Sequence, residues 1–132
     1  MRPRLTRTQA AMLAGATFAM LGAGAARAAE TTPPGFHNDV LPILQQHCGQ
    51  CHTPGGVGYQ AINLDLSDYH GVMSGSRQGQ AVIPRQPEMS PLVKVLNFGQ
   101  DKYPHMPPTA HELDKRDAST ISAWIAAGAK DN

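Results

Sequence analysis

The chain has 132 residues, 41% of them hydrophobic, with eleven Lys and Arg against ten Asp and Glu. The first 28 residues hold four of the bases and none of the acids, so the remainder carries seven bases, ten acids and a formal charge of about −3. That balance excludes a basic phosphate-binding surface, and with it nucleic acid as a partner.

The chain opens with Arg2, Arg4 and Arg7. An apolar run of Ala, Leu, Met, Gly and Phe follows over residues 10–26, and Ala26 and Ala28 occupy the minus-three and minus-one positions of an Ala-x-Ala cleavage site. The expectation is a cleaved signal peptide over residues 1–28 and an exported, periplasmic domain over residues 29–132. An uncleaved membrane anchor would need about 20 apolar residues, slightly more than this Ala- and Gly-rich run supplies. No Arg-Arg pair is present, which favours the general secretory route over twin-arginine export. Residues 29–132 make one domain by length. With three Phe and one Trp in the whole chain, large apolar side chains are scarce, so something else should help to fill the core.

In chain order, Asn38 or Asp39 is expected to cap a first helix running to about Cys51, with Pro42 in its first turn and Val40, Ile43, Leu44 and His47 on one face. Residues 53–63, with Pro54 and three Gly, read as a loop. A short helix over residues 67–74 is expected to be capped by Ser67, followed by a loop over residues 75–87. Met89 should act as a hydrophobic staple before a helix that starts at Ser90-Pro91, runs through Asn97 and stops at Gly99. The closing helix begins at Asp114 with Asp117 in its first turn, presents Ala118, Ile121, Trp124 and Ile125, and ends at Gly128. With no convincing buried strand, the fold class is all-α, and the two terminal helices are expected to pack across each other.

Both cysteines fall in Cys48-Gly49-Gln50-Cys51-His52. A disulfide, a thioredoxin-like redox pair and half of a zinc site are the alternatives. Zinc needs further ligands at similar spacing, which are not seen, and a thioredoxin-like pair belongs at a strand end. The His directly after the second Cys favours covalent attachment of one haem c. Cys48 and Cys51, one turn apart, place two sulfurs for thioether bonds to the porphyrin, and His52 brings its imidazole to the iron from the same side. A carbonyl of residues 53–63 is expected to accept the His52 Nδ1 proton. The macrocycle would also supply the missing apolar area.

The second axial ligand decides between electron transfer and chemistry at an open iron. Met73, Met89 and Met106 are candidates, with His37, His47, His70, His105 and His111. Met106 stands apart because it lies in Tyr103-Pro104-His105-Met106-Pro107-Pro108. Three prolines make that segment a stiff extended loop, able to hold a thioether at little entropic cost. Met106 is therefore taken as the distal ligand, with Met89 second. His105, next to it, would face the other way. Arg77 and Arg85 are candidate partners for a haem propionate, and the Trp124 indole could also reach one.

Phe36-His37-Asn38-Asp39-Val40-Leu41-Pro42-Ile43-Leu44 leading into the Cys motif resembles the monohaem class I cytochrome c domain, more narrowly its planctomycete type. Leu64-Asp65-Leu66, Val82-Ile83-Pro84, Ser90-Pro91-Leu92-Val93, Met106-Pro107-Pro108 and Trp124-Ile125-Ala126-Ala127-Gly128-Ala129 fit the same family. The resemblance implies an all-helical haem fold with His52/Met106 ligation. It departs at Ile83-Pro84-Arg85-Gln86-Pro87, where such domains commonly have a Pro-Gly turn.

These readings lead to an electron-transfer protein rather than an enzyme, a periplasmic carrier of single electrons between redox protein partners. The alternatives are the cytochrome subunit of a larger exported dehydrogenase complex and a five-coordinate haem that binds gas or peroxide.

Overall fold

The computed structural model describes residues 32–97, 104–108 and 113–132. The leader with its cleavage site, Gly99 and His111 lie outside the described residues. Among those described, the elements are helical and the one β-bridge is isolated, between Ser76 and Gly79.

The first helical stretch differs from the expected single helix. A π-helical turn, Phe36–Val40, runs directly into α1, Leu41–His47. The Val40 N–H donates to Gly35 O at 3.2 Å, and the Leu41 N–H donates to Phe36 O, both closing five-residue steps. Asp39 caps no helix from within; its carboxylate accepts from the Gly35 N–H at 2.7 Å. Pro42 does sit at the start of α1, where a missing N–H is least costly. The helix stops at His47, short of Cys51. There the N–H groups of both Cys48 and Gly49 converge on Leu44 O at 2.8 Å.

Residues 57–62 are not loop. They form α2, Val57–Ile62, closed by Asn63 in the left-handed region at φ 55°. The next helix, α3, is Tyr69–Ser74, and its cap is Asp68 rather than Ser67: the Asp68 carboxylate accepts from the Gly71 N–H at 2.7 Å. Ahead of α4, Pro91–Leu96, a 3₁₀ turn spans Pro87–Met89. Met89 is 55% exposed rather than buried as a staple. Ser90 precedes α4 without capping it. Its buried hydroxyl accepts from the Ile83 N–H and donates to Gln86 O, each at 2.9 Å, which ties the preceding loop to the helix start.

The closing helix, α5, is Lys115–Ala126, capped by the Asp114 carboxylate, which accepts from the Arg116 N–H at 2.7 Å. It ends in a Schellman motif: Ala129 N–H donates to Trp124 O, and Gly128 N–H donates to Ile125 O. Gly128 takes φ 110°, which only glycine adopts without strain.

Phe36, Val40, Leu44, Val72, Ile121, Trp124 and Ile125 are buried together. The Phe36 ring lies 5.3 Å from Trp124 and 5.2 Å from Tyr69, so the first turn meets α5 through aromatic contacts. The residues after α5 fold back over this cluster. Ala129 O accepts from the Tyr69 hydroxyl, Lys130 O from the Trp124 indole N–H, and Asn132 O from the His37 N–H, all at 2.9 Å. His37 and Asp131 add an exposed contact of 2.8 Å.

Candidate cofactor site

Beyond α1 the motif turns back on itself. Cys51 and His52 both donate backbone N–H groups to Cys48 O, at 3.1 and 2.9 Å, and the Thr53 hydroxyl donates to Gly49 O at 2.9 Å. Two later segments hold this turn from outside. The Tyr59 N–H of α2 donates to Cys51 O at 2.8 Å, and the Leu66 N–H donates to His52 O at 2.7 Å. Gly56 is packed so closely that a side chain there would collide with the Cys51 carbonyl.

A cavity of about 300 Å³ opens beside the motif, and Cys48, His52, Pro104 and Met106 are among the residues that line it. Leu64, Leu66, Leu92 and Leu96 make much of its apolar wall. Loop residues 76 and 78–81 complete it, and they were not singled out from the sequence. Met106 reaches the cavity because its N–H donates to Val95 O of α4 at 2.9 Å. Cys51, half-buried, stands in the motif turn but does not line the cavity.

Cys48 and Cys51 are free thiols. Burial, and then the neighbouring Cys51, push the Cys48 thiol up from 9.0 to about 11. A thioredoxin-like pair relies on the opposite, a thiol made acidic at a helix N-terminus, whereas Cys48 follows the C-terminal end of α1. The described residues also gather no group of three His, Cys, Asp or Glu side chains that could hold a metal ion, as a zinc site would require.

His52 is 8% exposed, and its Nδ1 is buried with no hydrogen-bond partner. No carbonyl of residues 53–63 accepts from it. The buried imidazole of His52 and the thioether of Met106, both suited to haem iron, line one apolar cavity together with the Cys48 thiol, which suits covalent attachment of the macrocycle.

The other candidates lie elsewhere. Met73 packs against the core and lines no part of this cavity, and Met89 faces outward. His37 contacts Asp131, His47 stands 3.7 Å from Asp117, and His70 lies 3.4 Å from the Ser74 hydroxyl. His105 is exposed. The Arg77 guanidinium donates to Gln60 O and Ala61 O, and Arg85 is held through its backbone N–H on Ile125 O, so neither lines the cavity. The Trp124 indole N–H is taken by Lys130 O rather than left for a propionate.

Residues 48–110 match the family model described as planctomycete cytochrome C. The match starts at the first motif Cys and runs past Met106. No curated protein and no solved structure gives a match.

Proposed function

Starting from a cytochrome c-like domain at residues 48–110, we propose that this protein is an exported carrier of single electrons. Cys48 and Cys51 would hold one haem c through thioether bonds, and His52 and Met106 would ligate its iron. The observation that carries this reading is that Cys48, His52 and Met106, up to 58 positions apart in sequence, line the same apolar cavity. When bound, the haem supplies a one-electron Fe(III)/Fe(II) couple.

The chain's own residues set the conditions for that couple. His52 and Met106 approach from different segments and would fill both axial positions, leaving no site for a substrate. A thioether is a soft donor and favours the reduced iron. Leu64, Leu66, Leu92 and Leu96 exclude water from the cavity wall, which also disfavours the more highly charged oxidised state. Val95 O fixes the backbone of Met106, so the distal side chain is held on a defined support.

Export is supported by the leader sequence, and among the described residues no helix is long and apolar enough to cross a membrane. The deciding experiment is the absorption spectrum of the oxidised protein. A weak near-infrared sulfur-to-iron charge-transfer band that disappears in Met106→Ala supports the assignment. Its absence from the wild type, or its survival in the variant, rejects Met106 as the ligand and points to an open or differently ligated iron.

A further inference from the structure

A haem has one polar edge, with two propionate carboxylates, and a carboxylate taken from water without a partner is costly. The propionates sit on the pyrrole rings that do not bear the vinyl groups, so they have to meet a part of the cavity wall other than the Cys motif. The wall offers one such place. Outside the motif, the described residues that line the cavity are apolar except on a single turn, which brings Ser76, Gln78 and Gln80. None of the described lining residues is Lys or Arg. Arg77, inside the same turn, gives its guanidinium to Gln60 O and Ala61 O instead.

The backbone of this turn is held by the fold itself. The Ser76 N–H donates to Gly79 O at 2.8 Å, and the Gly79 N–H donates to Ser76 O at 3.0 Å. The Ser76 hydroxyl accepts from the Gln78 N–H at 3.0 Å. Main-chain bonds moor the segment at both ends: the Arg77 N–H donates to Ile62 O of α2 at 2.8 Å, and the Leu92 N–H of α4 donates to Ala81 O at 2.9 Å. Gly75 lets the turn lie against the end of α3, since a Cβ there would stand 2.5 Å from Gly79 O. With the hydroxyl used inside the turn, two amide side chains remain, one on each side of Gly79. Gln78 and Gln80 are both exposed, and neither side chain bonds to another described residue. Each amide carries two N–H donors. Because the backbone is already fixed, only side-chain torsions have to be ordered on binding.

We propose that the turn from Ser76 to Gln80 is the propionate-binding part of the cavity, with the side-chain amides of Gln78 and Gln80 donating to the two carboxylates. Neutral amides stand there in place of a guanidinium, the stronger partner. This rests on the reading of the cavity as a haem c site and adds which of its walls receives the polar edge.

The test uses the protein purified with its haem. In the reduced, diamagnetic form, nuclear Overhauser effects are expected between the propionate methylene protons and the side-chain amide protons of Gln78 and Gln80. Effects missing at both residues, or found instead at the guanidinium of Arg77 or Arg85, overturn the proposal. In the resonance Raman spectrum, the propionate bending mode moves to lower frequency when the carboxylates lose hydrogen bonds. Gln78→Leu and Gln80→Leu are each expected to shift it that way, and the double variant furthest, whereas Arg77→Leu leaves it in place. A double-variant spectrum that overlays the wild type overturns the proposal. If the double variant does not accumulate with haem, the Overhauser pattern of the wild type still decides. Wild-type protein that carries covalent haem but lacks these effects removes this inference alone. Wild-type protein without covalent haem, read from haem absorbance after denaturation, removes the function proposed above as well.

Discussion

The backbone N–H of Met106 donates to the carbonyl of Val95 across 2.9 Å. The bond joins the last turn of α4 to the proline-bracketed segment and places Met106 at the same cavity as His52. The support is main chain, so shortening the Met106 side chain should spare the scaffold and remove only the sulfur.

Met106→Ala is therefore expected to fold, to keep covalent haem and to bind added cyanide or imidazole faster than the wild type does. Stopped-flow absorbance measures the rate. Equal rates in both proteins would show that the distal position was never occupied by Met106.

Each thiol should carry one bond to the haem, although the two are placed differently. Cys48 lines the cavity and Cys51 does not. Cys48→Ser and Cys51→Ser are each expected to leave one thioether, and the double variant none. Mass spectrometry of the denatured protein gives the count, and haem retained covalently by the double variant would refute both assignments.

In the polypeptide before attachment, Cys48 also makes stability depend on pH. Its thiol is raised from 9.0 to about 11 in the fold, first by burial and then by Cys51. Above pH 9 the unfolded thiol gives up its proton while the folded one keeps it, so the unfolded state gains. Stability should be level below pH 9 and fall as pH rises from 9 towards 11. Denaturant titrations of the haem-free chain at pH 8 and pH 10.5 test this, with Cys48→Ser expected to lose the difference.

Ser90 offers a test of the loop that carries part of the cavity wall. Its hydroxyl is fully buried, accepts from the Ile83 N–H and donates to Gln86 O. Ser90→Ala leaves both without that partner, at a cost of about 1–3 kcal/mol. For a domain of this size the melting temperature should drop by roughly 4–8 °C per kcal/mol. An unchanged melting temperature would mean that water replaces the hydroxyl freely.

Much of the site was legible before the structure because its chemistry is local. The Cys48-to-His52 motif is contiguous, and the prolines around Met106 single out its segment. The α5 boundaries were also plain, with Asp114 at one end and Gly128 at the other. Short helices were harder. Pro54, Gly55 and Gly56 made residues 53–63 look like loop, yet those breakers precede α2, and six residues are too few for a periodic apolar face. Ser67 and Asp68 are both good caps, and which of them fits depends on where the chain enters α3. The orphaned Nδ1 of His52 had no sequence signal at all.

The fold-back of the last residues bears on when this protein can fold. His37 bonds to Asn132 and Asp131, and Phe36 bonds to the Asn132 side chain, across separations of 94 and 96 residues where these are side-chain contacts. The cluster around Phe36 is thus sealed by residues made nearly a hundred positions later. Pairings so distant in sequence form slowly, because the loop entropy is lost before the contacts form. A chain still emerging from a ribosome, or still threading N-terminus first through a narrow pore, cannot close that seam until its tail has arrived.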